Sequence, residues 1–413
     1  MENQQAALIK TWVQVPKYSD FTIYNLPFGI FRNKRHSPRI GIAIGDKIVD
    51  LSALQEAGFF QDIKLADDIF LQESLNPLIA LGKATMRKVR ERVQQLLRED
   101  NTDLKDHQSR GKIMVGLKEA EMMMPVKIGD FTAFLSPLEP LLLESPSGAA
   151  TGQKSPIGYH GRVSTIVPSG MPIHRPKGKT INRESGKHEL GASRELDFEL
   201  KIAFIVGKST KMGESVSLAD GEDYIFGFVL FNDWTARDII AGGDGFYSPL
   251  SDKNFASSMS PWVLTLDALD KFRVDVPHHG YELPSYLQSS EGNGFDIKME
   301  AYIKPEKGKE KLVCQTNFKN AYWNAPQLLA QQTLNGSNIE IGDLIAFGAV
   351  SNPSEGHFGS MVELTKEGPI TLENGSTREF IQDGDSVIFK GYCEKENVRI
   401  GFGEISTKIL PSK

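Results

Sequence analysis

The stretch IFGFVLFNDWTARD, residues 225–238, changes character half-way. From Ile225 to Phe231 it is an unbroken apolar run, the pattern of a strand buried on both faces. At Asn232 the run gives way to Asp233, Thr235, Arg237 and Asp238, so charged groups stand at the mouth of a buried strand, where binding sites are commonly lined. A second stretch points the same way. In LDFELKI, residues 196–202, Leu196, Phe198, Leu200 and Ile202 alternate with Asp197, Glu199 and Lys201. A strand with that alternation buries one face and shows three charges on the other, with Glu199 and Lys201 about 6.5–7 Å apart. By periodicity alone the charged face reads as solvated.

Working outward, the chain from Ile128 onward is dense in short strand-like runs punctuated by Gly, Pro, Asn and Asp, with one helical stretch near Ala325 to Thr333. This predicts a mainly antiparallel β domain. Upstream, Ile40, Ile42 and Ile44 alternate, Gly45-Asp46 makes a tight turn, and Ile48, Val49 and Leu51 follow, the pattern of a hairpin. Asn76 and Pro77 read as the cap and first residue of one long amphipathic helix carrying Leu78, Leu81, Met86, Val89, Val93 and Leu96. Residues 98–112 have almost no apolar content and read as a solvated connection. Two domains are expected, 1–125 and 126–413.

Composition excludes several classes. The 413 residues carry a net charge of −6 without long charge runs, so no basic footprint for nucleic acid or an anionic membrane is present. No stretch approaches the roughly 20 apolar residues needed to span a bilayer. MENQQAALIK lacks the features of a secretory signal, so a cytoplasmic location is expected. The two cysteines, Cys314 and Cys393, provide neither a disulfide framework nor a zinc cluster and are expected to be small buried apolar residues. The P-loop, G-x-G-x-x-G, G-x-S-x-G, H-E-x-x-H, paired CxxC and EF-hand patterns are all missing. His278-His279, beside Pro277 and Gly280, reads as an exposed turn. A small-molecule partner is the expectation. Two further segments carry chemistry-bearing residues: Lys253 in a Ser-rich stretch, and GHFGSMVE, residues 356–363, with His357 and Glu363.

The segments SDFTIYNLPFGIF, RIGIAIGDKIVDL, IGDFTAF, PIGYHGR, SGMPIHRPKG, LDFEL, FNDWTARDI, SPWV, GDLIAFG, FGSMVEL and GFGE occur in the order seen in fumarylacetoacetases. From about Ser19 onward the chain resembles that family, in its long two-domain form. The resemblance implies a mainly β protein: a small SH3-like N-terminal barrel, a larger C-terminal domain of mixed β-sandwich or roll type carrying the site, and a homodimer. In enzymes of this kind four carboxylates hold magnesium or calcium on a 1,3-diketo acid. A histidine paired with a glutamate activates water, and lysine, arginine and glutamine stabilise the charge that develops.

Carried over position by position, Glu199 and Asp233 match two metal ligands, while Lys201 stands at the second glutamate and Ala133 at the ligand aspartate. Pro140 occupies the histidine's column, in a loop shorter than the family's. Tyr159, Arg237, Lys253 and Glu363 match retained catalytic or substrate residues. Leu135, Ile240, Asp244 and Ala349 replace a tyrosine, a glutamine, a tyrosine and a threonine of the substrate pocket.

Hard cations need several oxygen ligands, and an ammonium among them repels a cation. The expectation is therefore no cofactor, the divalent site being lost. Lys201, Lys253 and Arg237 either replace the metal in polarising a keto or enolate oxygen or, in Lys201's case, merely neutralise a vestigial carboxylate pair. His357, Glu139 and Glu363 are candidate bases, His357 reading more readily as a loop residue. The leading expectation is a metal-independent fumarylacetoacetase-like hydrolase of carbon–carbon bonds in a small 1,3-dicarbonyl or keto compound, less polar than fumarylacetoacetate. The alternatives are a repurposed tautomerase, dehydratase, decarboxylase or condensing enzyme, or a non-catalytic ligand-binding homologue.

Overall fold

The computed structural model describes all residues except 1–7, 137–154, 182–184, 240–248, 276–281, 289–291 and 353–356. Ile240, Asp244, Glu139, Pro140 and the His278-His279 pair lie outside the described residues.

The protein is mainly β, as its patterning predicts, and three sheets organise it. The central sheet runs in the order Gly158–His160, Phe131–Leu135, Leu344–Gly348, Leu200–Val206, Ile225–Asp233, Ser257–Met259, Ile166–Pro168. Strand Ile225–Asp233 is buried along its whole length, with Leu200–Val206 antiparallel to it in the register Lys201↔Phe231 and Ala203↔Val229. Because successive side chains alternate, the central sheet serves two cores. Ala203, Ile205, Val229 and Phe231 face one core, shared with the N-terminal unit, and Ile202, Phe204, Phe228 and Leu230 face the other.

A five-stranded sheet, including Phe28–Asn33, His36–Ile44 and Lys47–Asp50, builds the N-terminal unit. The expected hairpin is there, with Ile44 paired to Lys47 and Gly45 at φ 57°, where an added Cβ would come 2.6 Å from the Gln14 carbonyl oxygen. A second five-stranded sheet, led by Lys298–Lys304, Ser386–Lys395 and Val398–Leu410, covers the other face. The expected C-terminal helix spans Ala325–Thr333, closed by a capping box in which Asn324 accepts from the Gln327 N–H and the Gln327 side chain accepts from the Asn324 N–H. Both cysteines are free and buried, as expected.

The structure corrects three sequence expectations. The single long helix is two, Asn76–Ile79 and Lys83–Leu97, because Gly82 lies between them at φ 84°, outside the helical region. Asn76 is the first helical residue rather than the cap; its side-chain amide donates to the carbonyls of Lys127 and Ile341. The connection 98–112 is also not wholly solvated, since Leu104 is buried in the N-terminal core and a helical turn forms at Arg110–Ile113.

Candidate active site

At one end of the central sheet, the face that carries Val229 and Phe231 turns abruptly from apolar to ionic. Lys201 follows Ala203 outward on its strand, and Asp233 follows Phe231 on the neighbouring one. The stretch 196–202 is not one continuous strand. Leu196–Asp197 pairs with Thr235–Ala236, and Leu200–Val206 begins three residues later. That short ladder and the Asp233 N–H to Glu199 carbonyl bond of 3.2 Å hold the two charged segments together.

The charges are not solvated. Asp197, Glu199 and Lys201 are each 0% exposed, which overturns the reading of residues 196–202 as an open polar face. Alternation cannot distinguish a solvated face from one buried against opposite charges. The Lys201 ammonium lies 2.8 Å from Asp233 Oδ2 and 2.9 Å from Glu199 Oε2. Lys253 Nζ is 2.6 Å from Glu199 Oε1, 3.6 Å from Asp233 Oδ2 and donates to Thr235 Oγ1 at 2.9 Å. Arg237 spans Asp197 Oδ2 at 2.9 Å and Glu199 Oε1 at 2.8 Å. The Tyr159 hydroxyl donates to Asp233 Oδ2 at 2.6 Å. Among the described residues three carboxylates therefore face three cations, a formal sum of zero. The arrangement suits the energetics of burial, where an unpaired ion is costly and a fully paired one is tolerated.

Asp197 has a second task. It accepts the backbone N–H groups of Met361 at 2.6 Å and Val362 at 3.3 Å, tying the segment that bears Glu363 to the cluster. Burial raises its carboxyl above the ordinary value, opposed by Arg237 and the Met361 N–H, while Glu199 adds to the rise. Glu363 accepts the hydroxyls of Ser360 at 2.5 Å and Ser351 at 3.0 Å, and burial raises its pKa against those bonds. Among the described residues the side-chain donors to its carboxylate are those two serines, and His357 pairs through its backbone with Asn352.

Of the pocket positions, Leu135 is 1% and Ala349 5% exposed, and Tyr159 is engaged with Asp233. Gly348 lies beside the cluster at φ 138°, and a Cβ there would meet the Lys201 Cγ at 2.9 Å. Clefts of about 830 Å³, lined by Lys83, Arg90 and Arg273 among others, and about 400 Å³, lined by Asp130, Thr132 and His160 among others, lie elsewhere and include none of the cluster.

Sequence reasoning missed Asp197, Thr235, Ser351 and Ser360 as participants, and it passed over Asp252, a buried carboxylate directly before Lys253. For Asp197 the signal was present in the alternation of LDFEL, and for Asp252 in its adjacency to Lys253; no spacing marks the hydroxyl residues. Among the described residues no group of three or more His, Cys, Asp or Glu side chains is arranged to hold a metal ion.

Residues 24–125 match the model of the fumarylacetoacetase N-terminal family, and residues 128–409 that of the fumarylacetoacetate (FAA) hydrolase C-terminal family. A fumarylacetoacetase of Caenorhabditis elegans is 40% identical over 416 residues, covering 98% of this chain and 100% of that protein. The fumarylacetoacetase of Homo sapiens is 38% identical over 414 residues, covering 97% and 99%. Among solved structures, a maleylpyruvate hydrolase from Sphingobium sp. SYK-6 superposes with a TM-score of 0.50 at 16% identity, covering 94% of this chain and 100% of that one.

Proposed function

This chain belongs to the fumarylacetoacetase family, and from that premise we propose that it is a carbon–carbon bond hydrolase that works without a divalent cation, Lys201 supplying the positive charge at the centre of its site. The carrying observation is the Lys201 ammonium, 2.8 and 2.9 Å from the carboxylates of Asp233 and Glu199. The residues present do not fit magnesium or calcium. Both carboxylates are already paired with ammonium groups, and a dication added to the balanced cluster would leave it at +2 and stand against Lys201 and Lys253.

In this reading, Lys201 and Lys253 set a positive potential for the oxygen of a keto group and the enolate it leaves behind. Arg237 and Tyr159 hold the carboxylates that position those ammonium groups. Leu135 and Ala349 favour a 1,3-dicarbonyl substrate less polar than the one for which the curated relatives are named. Purified protein is to be assayed on fumarylacetoacetate and on simpler 1,3-diketones, with added calcium or magnesium and with chelator. Turnover that ignores the chelator and is lost in Lys201→Ala is expected. Turnover that requires a metal overturns the assignment of Lys201.

A second reading is favoured by the burial of the cluster: a homologue in which it serves as an ionic core and catalyses nothing. Wild-type protein that folds yet leaves every diketone intact is its expected signature.

A further inference from the structure

Hydrolysis at a carbonyl needs a group that takes a proton from water and later returns it. The carboxylates of the cluster are poorly placed for that. Asp197, Glu199 and Asp233 each lie against one or more cations, and Glu363 accepts two serine hydroxyls. One carboxylate beside them is different. Asp252 ends the short helix Pro249–Asp252, directly before Lys253, and is 5% exposed. Its Oδ1 is buried and, among the described residues, accepts no hydrogen bond. Asp233 Oδ1 and Glu199 Oε2 share that state, but their carboxylates are ion-paired with lysine, whereas no salt bridge among the described residues engages Asp252.

We propose that Asp252 is the proton acceptor of this site, resting on the hydrolase reading above: a buried carboxylate that no cation pairs among the described residues, directly before the lysine that anchors the ionic cluster.

The electrostatics agree with the placement. Burial, reinforced by the negative charges of Asp233 and Glu199 and opposed by Lys253 and its own backbone N–H, pushes Asp252 up to about 6. Those three side chains, from the central strand, the segment before Leu200 and its own segment, are the leading charged groups acting on it among the described residues. A base with a value near the working pH is largely deprotonated while still able to hold a proton during the reaction. In the step itself, Asp252 takes a proton from water as the water oxygen bonds to a carbonyl carbon of the diketone. The resulting alkoxide collapses, the bond between that carbon and the methylene breaks, and its electron pair passes to the enolate. The enolate carbon takes the proton back from Asp252. One carboxylic acid and one ketone leave, water is consumed, and the aspartate is regenerated.

The experiment uses full-length wild type, Asp252→Asn and Asp252→Glu, with pentane-2,4-dione as probe. Infrared difference spectra across pH 4–8 report a buried protonated carboxyl, and kcat/KM is followed over the same range. Expected is a carboxyl band titrating near pH 6 that is absent from Asp252→Asn, shifted in Asp252→Glu and perturbed by bound diketone. The acidic limb of the rate profile should follow the same midpoint, and Asp252→Asn should lose about a hundredfold or more in rate while remaining folded. A band that persists in Asp252→Asn, ignores the diketone, or accompanies unchanged turnover in that variant overturns the assignment. If wild type cleaves no diketone but the Asp252 band responds to one, the hydrolase reading falls and Asp252 remains the proton acceptor of the bound ligand.

Discussion

Replacing Lys201 by glutamate should convert a self-sufficient ionic cluster into one that needs a cation. The cluster sums to zero, with Asp197, Glu199 and Asp233 against Lys201, Lys253 and Arg237, so Lys201→Glu takes it to −2. The variant loses the ammonium contacts at 2.8 and 2.9 Å and places a fourth carboxylate among buried ones. Breaking a buried pair costs about 3–5 kcal/mol. At about 2 °C per kcal/mol for a large chain, the melting temperature in chelator should fall by roughly 6–10 °C. A divalent cation would match the new charge and recover about 2.7 kcal/mol at a hundred times its dissociation constant, or some 5 °C. Thermal denaturation of wild type and variant, each in chelator, calcium, magnesium and manganese, measures this directly. Wild type should be indifferent to all four conditions. A Lys201→Glu protein that melts with wild type and ignores every cation would refute the idea that Lys201 stands in for a metal.

The remaining predictions concern neighbours of that lysine. Asp252→Asn should stabilise the protein above pH 6. The folded pKa of about 6 lies above the ordinary 3.8, so between those values the folded state binds more protons than the unfolded one and wild-type stability falls as pH rises. The shift corresponds to roughly 3 kcal/mol as an upper figure; urea midpoints should separate progressively from pH 4 to 6 and stay apart above it. Tyr159→Phe removes the 2.6 Å hydroxyl donor to Asp233 and should cost about 1.5–3 kcal/mol in the same unfolding assay. Gly348→Ala should destabilise by about 1–3 kcal/mol and reduce turnover, since the new Cβ needs φ 138° and meets Lys201 Cγ at 2.9 Å; an unchanged urea midpoint would show that the backbone there moves freely.

How much of this was legible in the sequence depended on whether a local pattern had one physical solution or two. The hairpin around Gly45 was readable because a tight turn between alternating isoleucines leaves few other conformations, and the helix at Ala325–Thr333 forms where its apolar pattern placed it, closed by a reciprocal cap. The break at Gly82 was missed because glycine within a helical pattern is compatible both with continuation and with a change of direction. Asp197, Glu199 and Lys201 had the periodicity of a solvated face, and it is pairing with Asp233, Thr235, Arg237 and Lys253 from other segments that offsets the cost of their burial. Asp252 had adjacency to Lys253 as its one signal, since burial without an ion-pair partner is a property of the surroundings and not of the residue.

The unpaired state of Asp252 bears on whether the site is an active one or an ionic core. A buried cluster of paired charges contributes little net stability, because desolvation offsets most of the attraction, and well-packed apolar side chains would hold the same strands together at least as well. Its pairing nonetheless keeps it from being a burden. Asp252 differs: its carboxylate is buried, has no salt bridge among the described residues, and costs stability at neutral pH. A chain that used this region only as scaffold would do better with asparagine there, whereas a chain that moves a proton needs a carboxylate of raised pKa beside a cationic site. The two readings therefore agree on the stability of Asp252→Asn and part on its chemistry. As an ionic core the variant is more stable and otherwise unchanged; as an active site it is more stable and loses its chemistry, the trade expected where function is built from a locally unfavourable group.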